Sequence, residues 1–537
     1  MESNFPPITP VDFQSAAGSR AAKSAATKHF YALFVVLLIV SIPYLRLTQA
    51  YFLGYDDFNE VHRAAFEDTQ HPSRIFTTRH FQAPKYRPLN RGINYLTYRL
   101  GNGNPIVFRT RNLVFHLLNC AILYALGILL FDSIFAAALG AALFGLNPLA
   151  HQAVAGAVMT NSAGATMALI AVLFGLWSYR ARRHELRWLV LAIVVAWIGV
   201  LIYEADVVAP GIIFLYFALD YLLLRRITVR KSWIWTLLLL SAAVVLSIFV
   251  LRAWVMPGAH LPMAPLSAIA RNAAMYVIAL LLPVDSLLAN QWLGTPLVSE
   301  LPLDGVMTAV GICGACLIIL VLFAFRHSIM RRCASPSFMR CVFLAGAAVF
   351  SILPLLVFNE HPSETYLYLP VAFTMLLVAR ILLALRNSHA AIAYSAAVLL
   401  LVSFACATWG RSQRVCQSAA IAQRILTNLP TGDWRQGEWY IRLANAPGLT
   451  LPQRYGLYTY RGLDTICIGD GMGAIQSALQ LKSGNEHGLF AKALSAGEMA
   501  QSCRAGSALQ DPCFWVYPDG RVEQYSGAAA AQPSALR

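Results

Sequence analysis

Long apolar stretches alternate with short polar segments along most of the chain. A helix of about 20 residues rises 1.5 Å per residue and crosses about 30 Å of hydrocarbon. Stretches of about this length lie at residues 30–48, 112–131, 134–150, 160–179, 188–204, 207–224, 233–252, 305–325, 339–358, 367–385 and 390–409. The pattern predicts an α-helical polytopic membrane protein with about 11 transmembrane helices. A further apolar stretch, 268–283, contains Arg271 and ends in Pro283, so we expect it to lie in the interface or to enter the membrane part-way.

Basic residues in the short gaps predict the orientation. They cluster before the first span and between spans four and five, six and seven, and eight and nine, all on one side of an eleven-span bundle. Because Lys and Arg are enriched in cytoplasmic loops, that side is predicted to be the cytoplasm. We expect a multi-pass protein of the bacterial inner membrane, with a cytoplasmic tail at 1–29 and an uncleaved first span, which is too long for a signal peptide.

Two segments on the other side are too large to be simple connections. The first is the loop 49–111, within a transmembrane domain predicted at 30–410. The second is a periplasmic domain predicted at 411–525, of α/β or α+β type, followed by a disordered tail at 526–537. Its predicted elements are strands at 439–443, 456–460 and 513–517 and an amphipathic helix at 472–481.

Composition agrees with the membrane class. Of 537 residues, 58% are hydrophobic and 12% are charged, whereas soluble proteins carry about 25% charged residues. A mean hydropathy of +0.57 excludes a soluble globular enzyme, a disordered protein and a fibrous one. The net charge of +15 does not indicate nucleic-acid binding, because the basic residues lie in the gaps between spans.

Four cysteines fall in the predicted periplasmic domain, where an oxidising environment favours disulfides. They are Cys416, Cys467, Cys503 and Cys513. The pair Cys503 and Cys513 is the easiest to close, with free thiols as the alternative.

An acidic pair follows the first span directly. Asp56 and Asp57 lie in the segment Gly54–Glu60, at the expected outer interface. Paired carboxylates there are suited to act as a general base or to bind a divalent cation such as Mg²⁺ or Mn²⁺. The alternative is a solvated helix start, because Asp is a favourable N-cap residue.

The same outer loop is unusually basic, with nine Lys and Arg residues against five acids. The planar fork of Arg matches phosphate oxygens, so the loop fits the capture of a lipid-linked phosphate. Pairing with anionic headgroups is the alternative for most of these arginines. For the segment Tyr86–Leu89, which contains Arg87, we expect binding of the lipid-linked phosphate and not pairing with headgroups.

Three smaller polar clusters are predicted on the same face of the bundle. They are Asn147–His151, Tyr203–Asp206 and Asn359–Pro370. Ionisable residues at membrane depth are costly unless they are paired or functional. Convergence of these clusters with Asp56 and Asp57 favours a functional site over separate helix caps.

These motifs resemble those of the GT-C superfamily of glycosyltransferases, in particular the membrane half of the transmembrane, tetratricopeptide-containing O-mannosyltransferases and their bacterial relatives. The resemblance is carried by Tyr55-Asp56-Asp57, Tyr86-Arg87-Pro88-Leu89, Arg109–Asn119, Phe144–Val154, Glu204 and Glu364–Pro370. This chain departs from the family motifs at Asn147, Gln152, Tyr203 and Thr365, and it lacks the tetratricopeptide repeats.

The resemblance implies an inverting glycosyltransferase that uses a polyprenyl-phosphate-linked sugar donor on the extracytoplasmic face. The acceptor is then a hydroxyl of a protein or glycan. Under this hypothesis Asp56 and Asp57 jointly supply the base, and Arg87 and Arg63 stabilise the departing phosphate. The residues expected to contact sugar or acceptor are Tyr86, His151, Glu204 and Glu364.

Two other functions stay open from the sequence. One is an oligosaccharyltransferase or ligase that uses a lipid-pyrophosphate glycan, and the other is a lipid-linked sugar transporter or flippase. The transporter hypothesis expects inverted repeats and ionisable residues at mid-membrane. The sequence has no such paired halves, and its acidic residues lie at the ends of spans.

Overall fold

The computed structural model describes most of the chain. It covers residues 16–54, 56–77, 86–180, 185–224, 231–255, 264–281, 336–358, 364–429, 439–446, 462–466, 474–484, 486, 489–504 and 512–525. The predicted span 305–325, the predicted strand 456–460 and the tail 526–537 lie outside these residues.

Helices dominate the described part of the chain. Those before residue 210 are α1 Ala16–Ser41, α2 Asp57–Gln70, α3 Arg74–Thr77, α4 Pro88–Gly101, α5 Pro105–Phe131, α6 Ile134–Gly145, α7 His151–Ala155, α8 Asn161–Arg180, α9 Glu185–Ile202 and α10 Ala209–Leu224. They are followed by α11 Lys231–Val255, α12 Leu266–Leu281, α13 Pro336–Phe358, α14 Tyr368–Arg386, α15 Ala390–Asn428, α16 Ala474–Ser483 and α17 Ala496–Arg504. Short 3-10 turns at Pro148–Ala150, Glu204–Val208 and Glu364–Leu367 connect or begin helices of the bundle.

The predicted fold class is confirmed, with a helical membrane bundle and a small C-terminal sheet. Within the described ranges, eight helices are long and apolar enough to cross a membrane. A pair bent by 51°, Ile134–Gly145 with Pro148–Ala155, adds a broken span, and Leu186–Ile202 is a shorter apolar helix. Together they account for ten of the eleven predicted spans. The stretch predicted to be interfacial forms the 16-residue helix α12.

Local sequence explains where the central helices begin and end. The side chain of Asn104 accepts a hydrogen bond from the Ile106 N–H at 3.0 Å and caps α5, with Pro105 in the first turn. Helix α5 ends at Asp132, whose φ of 53° is left-handed and stops the helix. Asn147 similarly accepts from the Leu149 N–H at 2.9 Å, and this turn makes the bend in the broken span.

Small residues allow the bundle helices to approach closely. A Cβ atom added to Gly127 of α5 would lie 2.8 Å from the Cα of Ala137 in α6. A Cβ added to Gly140 of α6 would lie 2.8 Å from a methyl group of Leu376 in α14. Helix pairs in membranes commonly pack through such residues, because lipid provides little hydrophobic driving force between helices.

The last bundle helix is longer than the sequence pattern predicted. Helix α15 runs without a break from Ala390 to Asn428, whereas the periplasmic domain was predicted to begin at 411. Its 39 residues correspond to about 60 Å, which is twice the hydrocarbon thickness. The polar residues after 410 therefore continue the helix beyond the apolar span, and the sheet begins only at Trp439.

The C-terminal sheet has four strands in the order β2-β1-β3-β4. Strand β1, Trp439–Asn445, pairs in parallel with β2, Leu489–Leu494, and with β3, Cys513–Val516. Strand β4, Val522–Gln524, pairs antiparallel with β3. The predicted strands at 439 and 513 and the predicted helix at 472 are confirmed, whereas β2, β4 and α17 were not predicted.

The sheet shares a hydrophobic core with the loop that follows the first span. Phe58 and Val61 of α2 pack in one buried cluster with Leu443 of β1 and Ile475 of α16. The Gly54 N–H donates to the Thr465 carbonyl, and Ser477 donates to Asn59 at 2.9 Å. The C-terminal domain is thus fixed directly on the helix that follows Asp56.

Cys503 and Cys513 form a disulfide that joins the end of α17 to the start of β3. Cys416 keeps a free thiol, which donates to the Arg46 carbonyl at 3.7 Å. Cys467 lies outside the described residues.

We expect Gly127→Ala to lower the stability of the bundle by roughly 1–3 kcal/mol, because its methyl group would force α5 and α6 apart. The matched control is Gly410→Ala, where no described atom lies within 4 Å of the added Cβ. Thermal unfolding of the purified protein in detergent measures both variants. Equal unfolding temperatures for the two variants would contradict the close packing at Gly127.

Candidate functional site

Asp57 is a buried residue that joins two loops. Its Oδ2 accepts a hydrogen bond from the Leu53 N–H at 3.0 Å, and its Oδ1 accepts from the Val158 N–H at 3.2 Å. The side chain is only 4% exposed. Asp57 therefore ties the residues after the first span to the loop between α7 and α8. We call the end of the bundle where these loops lie the Asp56 end.

A buried arginine, Arg109, and a partly buried one, Arg111, interact with this carboxylate. Arg109 donates to the Ala50 carbonyl at 2.8 Å and also bonds the Tyr51 and Ala155 carbonyls. Arg111 donates to the Ala157 carbonyl at 2.8 Å. Both guanidinium groups interact electrostatically with Asp57. A buried cation is tolerated when it is paired and hydrogen-bonded, and these arginines satisfy carbonyls of both loops.

Burial raises the pKa of Asp57, and Arg109 with the backbone donors opposes that rise. Because both carboxylate oxygens accept backbone N–H groups at a buried position, Asp57 does not present itself to a substrate. The joint base of Asp56 and Asp57 stays a prediction. In this arrangement the backbone holds both carboxylate oxygens of Asp57, so that Asp57 positions the loop from which Asp56 projects.

Asp56 occupies the N-cap position of α2 but makes no capping hydrogen bond with its side chain. The residue is half-buried. It interacts electrostatically with Tyr366, which also interacts with Arg87 and Glu204. Asp56, Arg87 and Glu204 thus share an electrostatic interaction with one tyrosine at the Asp56 end.

Arg87 and Glu204 form a bidentate ion pair. The Nη2 of Arg87 donates to Oε1 of Glu204 at 2.7 Å, and Nε donates to Oε2. The Arg87 guanidinium also lies over the Tyr203 ring, 4.6 Å from its centroid. Burial alone would lower the pKa of Arg87, but Glu204 outweighs burial and raises it, so the guanidinium stays charged. Glu204 itself is 44% exposed and accessible to a ligand.

Arg252 is a further residue of this cluster that the sequence interpretation missed. It lies in the last turn of α11 and interacts electrostatically with Glu204. Its Nη2 is buried without a hydrogen-bond partner among the described residues. The signal was present in the sequence, because a lone arginine at the end of an otherwise apolar span is a functional candidate.

Two other predicted site residues, Arg63 and Tyr86, use their polar groups in hydrogen bonds within the protein. Arg63 is 3% exposed and bonds Glu60 at 3.0 Å within α2, so its phosphate-binding role stays a prediction that this buried ion pair does not favour. Tyr86 is partly buried, and its hydroxyl donates to the Phe76 carbonyl at 3.1 Å. This hydrogen bond links the residue before Arg87 to helix α3.

His151 and Glu364 dock α15 against the bundle. His151 is fully buried, stacks on Tyr44, and lies 2.9 Å from the Ser412 hydroxyl. Glu364 pairs with the buried Arg411 at 2.7 Å, and Arg411 also bonds the Pro148 carbonyl. The sugar contact of His151 stays a prediction that its burial does not favour, whereas Glu364 keeps 23% of its side chain exposed. Sequence reasoning missed Arg411 because it treated α15 as ending before this residue.

The metal site predicted at Asp56 and Asp57 stays a prediction. Each oxygen of Asp57 already accepts one backbone N–H group. Across the described ranges, no group of three or more His, Cys, Asp or Glu residues is arranged to hold a metal ion.

Comparison with solved structures finds two proteins of the GT-C superfamily. ArnT from Cupriavidus metallidurans in the apo state is 13% identical, with a TM-score of 0.47, over 92% of this chain and 93% of that one. The same protein bound to undecaprenyl phosphate is 15% identical, with a TM-score of 0.43, over 94% and 93%. The archaeal oligosaccharyltransferase AglB from Archaeoglobus fulgidus, in complex with an inhibitory peptide and a dolichol-phosphate, is 14% identical, with a TM-score of 0.45.

The AglB match covers 77% of this chain and 62% of the AglB chain. No protein-family profile and no curated protein matches the sequence. With TM-scores below 0.5, these likenesses assign neither a substrate nor a site residue to this chain.

We expect Asp57→Asn to lower the stability by roughly 3–5 kcal/mol, because it removes the negative charge that faces two buried guanidinium groups. Asp56→Asn is the matched control and is expected to change stability by less than about 1 kcal/mol, because Asp56 is half-buried and makes no cap. Unfolding temperatures of both variants in the same detergent check this. A larger loss for Asp56→Asn would reverse the roles of the two residues.

Proposed function

We propose that the chain is an inverting glycosyltransferase of the bacterial inner membrane. It moves a sugar from a polyprenyl-phosphate donor to an acceptor hydroxyl of a protein or glycan on the extracytoplasmic face. The observation that carries the proposal is the cluster at the Asp56 end. There Asp56, the charged Arg87 and the partly exposed Glu204 each interact electrostatically with Tyr366, and Arg252 interacts electrostatically with Glu204.

Asp56 is proposed as the general base. The acceptor oxygen forms a bond to the anomeric carbon as its proton passes to Asp56. The bond from the anomeric carbon to the phosphate oxygen breaks, and its electron pair leaves with the phosphate. One base and no facing carboxylate nucleophile are enough for a single displacement, which inverts the anomeric centre.

Arg252 is proposed as the main partner of the donor phosphate. The guanidinium group of Arg87 is already paired with the carboxylate of Glu204, so the net charge of this pair is close to zero. Arg252 adds positive charge at the same place, and its buried Nη2 is suited to donate a hydrogen bond to a phosphate oxygen. A well-placed donor of this kind stabilises the growing charge on a leaving group by about 3 kcal/mol.

Glu204 is proposed to accept hydrogen bonds from sugar hydroxyls, with Arg87 holding its orientation. The partly exposed Glu364 lies at the start of the turn that contains Tyr366, where it is placed to contact the sugar or acceptor. The C-terminal domain packs on α2, next to Asp56, and is therefore a candidate to receive or cover the acceptor. None of these steps requires a metal ion.

Asp56→Asn is expected to lower kcat by about 10²- to 10⁴-fold, the usual contribution of a positioned general base, while leaving the affinity for undecaprenyl phosphate unchanged. The assay measures sugar transfer from polyprenyl-phosphate donors by the protein in nanodiscs. Its control is Asp132→Asn, because Asn also tolerates the left-handed backbone of that position at the far end of α5. Transport of donor without any sugar transfer would refute the enzymatic function.

Arg252→Gln is expected to weaken binding of undecaprenyl phosphate by about 10- to 100-fold, since it removes a charge-assisted hydrogen bond. Arg386→Gln, at the far end of α14 from Glu364, is the control and should leave binding unchanged. Fluorescence quenching or calorimetry in nanodiscs measures both affinities. Unaltered binding in Arg252→Gln would remove Arg252 from the phosphate site. Mass spectrometry of surface glycans and glycoproteins, with and without the protein, tests the function in cells.

A further inference from the structure

A narrow pocket opens beside the Arg87–Glu204 pair. Its volume is about 270 Å³ including the open mouth, but its enclosed part holds only about one water-sized group. Tyr203 and Tyr366, which surround Arg87, also line the pocket. Asn161 of α8 and Ser351 of α13 contribute polar groups from the other walls.

Asp206 and Tyr203 both line this pocket, and each has a buried polar atom without a hydrogen-bond partner among the described residues. Asp206 is 2% exposed, and its Oδ2 has no hydrogen-bond partner within the part of the chain that the structure describes. The Tyr203 hydroxyl is buried and unpartnered in the same sense. An unmade hydrogen bond of a buried group costs about 1–3 kcal/mol, so two in one small pocket are unusual.

The neighbouring helix leaves room for this carboxylate. Gly164 of α8 faces Asp206, and a methyl group added there would collide with Oδ2. Asp206 also interacts electrostatically with both Glu204 and Arg87. Asp206 therefore interacts with the groups proposed to bind the donor, and it lines a pocket whose enclosed part has room for about one hydroxyl or amino group.

We propose that Asp206 Oδ2 accepts a hydrogen bond from one hydroxyl or amino substituent of the transferred sugar, with the Tyr203 hydroxyl as a second contact. The pocket then selects the donor by that single substituent. This inference rests on the proposed function and adds the determinant of sugar specificity. A site that hydrogen-bonds a substrate group discriminates strongly against analogues that lack it, because the buried acceptor is left unpaired.

The test compares two probes on the full-length protein in nanodiscs. One is undecaprenyl phosphate alone. The other is a set of undecaprenyl-phosphate donors that carry glucose, galactose, mannose or N-acetylglucosamine, with monodeoxy analogues of each. The variants are Asp206→Leu and Asp206→Asn. Asp220→Asn is the matched control, because Asp220 is also a buried acid of this region but bonds Tyr179 further along α10.

For the donor that the wild type prefers, Asp206→Leu should weaken binding about 10- to 100-fold, while binding of undecaprenyl phosphate alone stays unchanged. One monodeoxy analogue should bind the wild type equally weakly and show no further loss in Asp206→Leu. Asp206→Asn separates the two substituents, since its amide oxygen still accepts from a hydroxyl but lacks the charge that an ammonium group prefers. Where Asp206→Leu does not fold, Gly164→Ala displaces the carboxylate and should give the same selective loss.

Equal losses for bare and sugar-bearing lipid would overturn the inference, because they are expected if Asp206 only satisfies a buried water. Unchanged discrimination in an Asp206→Leu protein that still transfers sugar would also overturn it and leave the proposed function standing. A wild-type protein that binds no sugar-bearing lipid phosphate would overturn both.

Discussion

The buried charge cluster of Asp57, Arg109 and Arg111 is the interaction on which the Asp56 end depends. An isolated buried charge is very costly, but these three neutralise one another in part and bond the backbone of two loops. Loops at the surface of a membrane bundle lack the regular hydrogen bonds of a helix, so side chains must satisfy their carbonyl and N–H groups. The cluster does this and thereby sets where α2 begins.

The position of Asp56 follows from this anchoring. Asp57 is drawn inward by two N–H donors and two guanidinium groups, and its neighbour is left at the helix start, facing Tyr366. The candidate site is then assembled from the ends of several elements, with Arg87 before α4, Glu204 before α10 and Arg252 at the end of α11. Helices hold these ends, and the residues lie where the helices begin or end.

Some features follow from periodicity and chemistry along the chain. Apolar length predicts the spans, and ten of eleven correspond to described helices because a membrane span must satisfy its own backbone. The sequence did not show which of the candidate site residues are buried and which are partly exposed. Asp56 and Asp57 are equivalent as sequence, and only packing shows that one is buried. His151 resembled a site residue, yet it packs on Tyr44 against α15, because the polar continuation of that helix beyond 410 was interpreted as a separate domain.

The sequence by itself therefore determined the class of protein, the number of apolar helices and the chemical types gathered near Asp56, since these depend on composition and local spacing. Tertiary structure decided which charges pair. Arg87 meets Glu204 across 117 residues, Arg411 reaches Glu364, and Arg252 and Asp206 each keep a buried polar atom without a partner in the described chain. These outcomes depend on which helix ends become neighbours, and no local pattern encodes that.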